Sequence, residues 1–109
     1  MGDQYVSGDW TVRSGSEDEF IERWLEFTGW SLANQPGAEQ FVLIRSLDDP
    51  RHFVSFGRWA DHEAVRAWKG SQEFADRFAR CRELCDAFGG GDYAVAASPV
   101  RSGSAVRGA

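Results

Sequence analysis

The sequence predicts an α+β fold with the element order βαββαβ. Three observations carry that expectation. Residues 5–13 alternate, with Val6, Gly8, Trp10 and Val12 on one side and Tyr5, Ser7, Asp9, Thr11 and Arg13 on the other, the period-two pattern of a strand with two different faces. Two later runs, 39–46 and 52–59, are rich in Phe, Val and Ile and are separated by Leu47-Asp48-Asp49-Pro50, a turn cluster whose proline cannot extend a ladder. Between and after the strands, aromatic residues recur at helical spacing.

Each element has its own signal. Ser14-Gly15 turns the chain out of the first strand, and Ser16-Glu17-Asp18-Glu19 has the form of a capping box, in which a hydroxyl and a Glu three residues on satisfy each other's backbone donors. The first helix then spans about 17–33, its stripe running through Phe20, Trp24, Phe27, Trp30 and Ser31 with Ile21, Leu25, Thr28 and Leu32 beside it, and it stops before Pro36-Gly37. A second helical region covers about 61–88, opened by Asp61 and broken at Gly70-Ser71, and places Phe74, Phe78, Cys81, Cys85 and Phe88 on one face. Gly89-Gly90-Gly91 reads as a hinge into a last strand at 92–98. The order is that of a ferredoxin-like domain over residues 1–100, two helices on one face of a four-stranded antiparallel sheet, followed by a flexible C-terminal tail at 101–109. Apolar residues fall on both faces of the central strands: Val42 and Ile44 oppose Phe41 and Leu43, and Val54 and Phe56 oppose Phe53 and Trp59. One set meets the helices. The other calls for a second subunit, so a homodimer with facing sheets is expected.

Composition excludes several classes of function. With 12 basic and 17 acidic residues the net charge is −5 and no basic block stands out, so neither nucleic acid nor an anionic membrane is an expected partner. No apolar run reaches the roughly 20 residues of a membrane span, and the N-terminus lacks the character of a signal peptide, which points to the cytoplasm. Cys81 and Cys85 read as buried thiols, and His52 and His62 lack metal-ligand spacing, so neither a metal nor another cofactor is expected. Hydrolase elbows and nucleotide-binding glycine loops are missing from the sequence.

The stretch Phe53-Val-Ser-Phe-Gly-Arg-Trp59, then Asp61, then the Ala-rich run to Trp68, then Ser71-Gln-Glu-Phe74, resembles a signature of the antibiotic-biosynthesis-monooxygenase family. In that signature a strand ends in Trp, an acidic residue starts the following helix, and a Ser-x-x-Phe element restarts it. Matching is sequence-specific over about 53–78 and extends to nearly the whole chain in element order. The resemblance implies a dimeric α+β barrel and a ligand pocket between helices and sheet. It makes Trp59, Trp68, Phe74 and Phe78 the candidate substrate-binding residues, and leaves the catalytic residue unknown.

Five Trp and eight Phe in 109 residues suit a pocket for a small aromatic organic molecule. In one branch of the family the resemblance implies a cofactor-independent monooxygenase: a planar, polyketide-type substrate ionises and its carbanion reacts with O2. Trp indole N–H groups, Arg45 and Arg58 are candidate oxyanion donors; His62, at a helix start, and His52 and Asp9 are weaker candidates for a base. In the haem-degrading branch, a Trp like Trp68 is followed ten residues later by an iron-binding His, and an Asn stands on the first strand; here Phe78 occupies that place and the strand has no Asn. Two readings therefore stand beside the monooxygenase: a non-catalytic ligand-binding or regulatory protein of the same fold, and, further off, a haem-binding relative.

Overall fold

A computed structural model describes residues 3–101. Strands β1 (Gln4–Val12), β2 (Ala38–Arg45), β3 (His52–Trp59) and β4 (Cys85–Ala94) form one sheet in the order β2-β3-β1-β4, with every neighbouring pair antiparallel. Three helices, α1 (Glu17–Asn34), α2 (His62–Lys69) and α3 (Gln72–Arg82), complete the fold. This is the expected ferredoxin-like α+β arrangement. The expected tail at 101–109 lies outside the described residues apart from Arg101.

Local chemistry explains the breaks. Gln35 is extended, as a residue before proline prefers, and ends α1. Asp61 accepts from the Ala64 N–H at 2.8 Å to open α2, and Ser71 accepts from the Phe74 N–H at 3.1 Å to open α3. Gly70 therefore separates two independently capped helices, and the second helical region is two elements.

Four expectations need correction. Ser16 makes no side-chain cap: its backbone, at φ −106° and ψ 12°, is not extended. Glu19 turns to Arg23 instead of back to the helix start, while Glu17 Oε1 accepts from the Gly15 N–H at 2.9 Å. Leu25 and Leu32, placed beside the apolar stripe of α1, are exposed, whereas Phe20, Trp24, Phe27, Thr28 and Ser31 are buried. The third correction moves a boundary: the helix ends at Arg82, so Cys85 and Phe88 belong to β4. The glycine run is likewise no hinge, because Gly89, Gly90 and Gly91 pair with Asp9, Gly8 and Ser7 in the centre of the β1–β4 ladder. Pairing with a central strand outweighs the weak strand preference of glycine here.

The core fills the space between the helices and one sheet face. Trp10, Val12, Phe53 and Trp59 from the sheet pack with Phe20, Trp24, Phe27, Val65, Trp68 and Cys81 from the helices. On the opposite face Val42, Ile44, Phe56 and Tyr93 are exposed. A groove of about 580 Å³ there is bordered by Tyr5, Val54, Phe56 and Tyr93.

Candidate functional site

The site begins with side chains that are missing. Gly8 lies between Ser55 of β3 and Gly90 of β4, so a row of three small residues crosses the helix-facing side of the sheet. Gly57 adds a fourth small position beside Val6. Neighbouring rings lean into the vacated space: a Cβ on Gly8 would come within 2.7 Å of Trp10 Nε1, one on Gly57 within 2.7 Å of the Phe41 ring, and one on Gly90 within 2.9 Å of the Phe88 ring. The glycines thus let three aromatic rings lie down against the sheet.

Above this floor is a cavity of about 390 Å³, within the range of small-molecule sites. Trp24, Phe27 and Thr28 reach it from α1, Trp68 from α2, Phe74 and Phe78 from α3, and Phe41 and Phe88 from the sheet. The rings brace one another. Phe27 and Trp68 stack at 5.6 Å with an 11° interplanar angle, Phe74 and Phe78 at 5.5 Å with 7°, and Phe78 meets Phe88 edge-on at 5.1 Å. Such packing gives flat walls with little freedom to collapse.

Hydrogen bonds fix the larger rings. Trp68 Nε1 donates to Ser31 Oγ at 2.9 Å, and that hydroxyl donates to the Phe27 carbonyl at 2.9 Å. Trp10 Nε1 donates to Ser55 Oγ at 3.0 Å. Ser55 is buried and lines the cavity, and its own hydroxyl hydrogen has no acceptor among the described residues. It is therefore a donor held at the cavity floor. The Thr28 hydroxyl, in contrast, is spent on the Trp24 carbonyl at 2.8 Å. At the mouth, Lys69 Nζ donates to Asp92 Oδ1 at 2.5 Å.

Of the residues singled out from sequence, Trp68, Phe74 and Phe78 come together on this cavity. Trp59 does not border it; it is fully buried behind Trp68, 4.7 Å away, and Phe41, 6.0 Å away, and its indole N–H finds no acceptor among the described residues. The indole donors of Trp10 and Trp68 are committed within the protein. Arg45 lies 4.6 Å over the Phe53 ring and Arg58 faces Glu39 at 3.3 Å, neither of them on the cavity. His62 is exposed at the start of α2, and His52 meets Asp9 at 3.0 Å on the bare sheet face. Ser55, Lys69 and Asp92 escaped the sequence reading. A signal existed for Ser55, the one hydroxyl in the inward row Phe53, Ser55, Gly57, Trp59.

The cysteines are unsuited to nucleophilic work. Burial pushes the Cys81 thiol up to about 12 and raises that of Cys85, whose Sγ donates to the Cys81 carbonyl at 3.5 Å. No group of three His, Cys, Asp or Glu among the described residues is placed to hold a metal ion. The haem arrangement does not fit either, since Phe78 is enclosed by Phe74, Trp10 and Phe88 and no imidazole reaches the cavity.

A layered α+β domain with an aromatic cavity between helices and sheet defines the class. The sequence profile described as Antibiotic biosynthesis monooxygenase matches residues 4–80, and the chain belongs to that family. A comparison with curated proteins finds no match in sequence. Among solved structures, a mutant of SnoaB, a cofactor-independent oxygenase from Streptomyces nogalater, superposes with a TM-score of 0.79 at 24% identity, covering 88% of this chain and 96% of that one. The structure of SnoaB determined to 1.9 resolution gives 0.76 at 22% identity over 88% and 96% of the two chains. A conserved protein from Methanosarcina mazei Go1 gives 0.75 at 17% over 84% and 90%. These likenesses show the fold.

Gly8→Ala tests the glycine floor, because the new methyl must displace Trp10 or Ser55. Overpacking should cost about 1–3 kcal/mol in urea unfolding. Gly29, in α1 with nothing near its missing Cβ, is the control, and Ala there should stabilise by about 0.5–1 kcal/mol. Equal effects at the two positions would contradict the described floor.

Proposed function

We propose that this protein binds a small, largely planar aromatic molecule in the cavity and oxidises it with O2 without a cofactor. The observation that carries the reading is a flat-walled aromatic cavity whose floor holds the free Ser55 hydroxyl. Family membership supports the reaction class.

For an anthrone-like substrate the chemistry balances without an external reductant. The acidic CH2 carbon loses a proton to solvent at the mouth, and the carbanion's negative charge spreads onto the ring oxygen. A hydrogen bond from Ser55 to that oxygen stabilises the ionised form. The carbanion gives an electron to O2, the two partners couple through a new C–O bond, and the O–O bond then breaks. One oxygen stays as the carbonyl of a quinone and the other leaves as water with the two hydrogens of the CH2 group. The apolar walls keep bulk water from the ionised intermediate.

A second reading is non-catalytic binding by the same cavity. It is favoured by the absence of imidazole from the cavity wall and by the engagement of its carboxylate, Asp92, with Lys69. Assembly is part of the proposal too: a second copy, stacked sheet to sheet in the cytoplasm, covers Val42, Ile44, Phe56 and Tyr93.

Oxygen uptake with dithranol, an anthrone, separates the two readings. Catalysis predicts quinone formation well above the spontaneous rate and a loss of about 10²–10³-fold in kcat for Ser55→Ala, the magnitude of one oxyanion donor. Binding with no acceleration would leave the non-catalytic reading. Sedimentation addresses assembly independently: a species of twice the 12.2 kDa chain mass is expected at micromolar concentration, and a monomer alone would refute the stacked dimer.

A further inference from the structure

We propose that Lys69 is a specificity-determining residue that selects ligands bearing an anionic oxygen at one edge of the planar body. The inference rests on the reading of the cavity as a ligand site and narrows the class of ligand it takes. Among the described residues, Lys69 is the only basic residue lining the cavity and Asp92 the only acidic one. The rest of the lining is aromatic, aliphatic, hydroxyl or glycine. A carboxylate or phenolate entering such a space sheds its hydration, and that transfer is costly unless a cation meets it. Lys69 is the cation available.

Its placement is built in. Lys69 is the last residue of α2, and the preceding Trp68 is tied to α1 through Ser31. The Gly70 N–H bonds to the Arg66 carbonyl at 3.0 Å and closes the helix end. Asp92 sits opposite Val6 in β4 and shares the parity of Phe88 and Gly90, so the strand presents it on the cavity side. Both side chains keep part of their surface in solvent, and Lys69 meets the Asp92 carboxylate at the cavity edge. The ammonium has three donors, so the contact with Asp92 leaves two for a ligand oxygen while aiming the side chain across the mouth.

Matched probes test this. Titration calorimetry with 2-naphthoate and the neutral, near-isosteric 2-naphthamide measures the preference for charge apart from shape. The wild-type protein should favour 2-naphthoate by about tenfold, in keeping with a charge-assisted hydrogen bond. Lys69→Met, which keeps the aliphatic stem, should abolish the preference. Arg66→Met removes the same charge from a position on the same helix that does not line the cavity and should leave the preference intact. An equal preference in wild type and Lys69→Met overturns the inference and leaves the cavity reading standing. Failure of both probes to bind the wild-type protein overturns the two together.

Discussion

The structure depends on a row of small residues across the helix-facing side of the sheet. Gly8, Ser55 and Gly90 lie side by side on three neighbouring strands, where larger side chains would fill the space between sheet and helices. Three consequences follow from the one omission. Trp10, Phe41 and Phe88 can lie down against the sheet, a cavity opens over them, and the Ser55 hydroxyl stays on its floor. Interiors normally fill to crystal-like density. A cavity of about 390 Å³ in so small a domain is therefore kept open by rigid walls, each ring braced by a neighbour or anchored by an indole hydrogen bond.

The two faces of the sheet divide the work. The inner face makes the cavity, while the outer face carries exposed Val42, Ile44, Phe56 and Tyr93 beside the paired His52 and Asp9. The outer groove, at about 580 Å³, is larger than the inner cavity. Size alone does not make it the better candidate. It lies on the face that the proposed partner copy covers, whereas the inner cavity is walled by rings from the helices and the sheet and holds the Ser55 hydroxyl.

Strand alternation and helical spacing made most of the fold legible, because both are periodicities of single elements. Residues 5–13 and 52–59 alternate cleanly, Asp61 opens α2, and the break at Gly70-Ser71 falls where it was expected. The last element was obscured for a particular reason. Cys81, Cys85 and Phe88 continue the spacing of Phe74 and Phe78 across a change from helix to strand, and the three glycines carry no strand signal of their own. Their structure comes from pairing with β1, a contact between residues about eighty positions apart. For the site, the aromatic residues were readable and the polar ones were not. Trp68, Phe74 and Phe78 followed from a motif, while Ser55, Lys69 and Asp92 take their places only when α2, β3 and β4 are brought together. Trp59 shows the converse: its match to a family position did not place it on the cavity wall.

In the proposed function a planar ligand lies on the glycine floor, between the sheet and the rings of α2 and α3. A crystal structure of the protein soaked with an anthrone-type compound under exclusion of oxygen tests it most directly. The expected result is density for a flat ring system against Trp68 and Phe74, with an oxygen within hydrogen-bond distance of Ser55 Oγ. Density confined to the outer groove beside Tyr5, Phe56 and Tyr93, with the inner cavity unchanged, would contradict it.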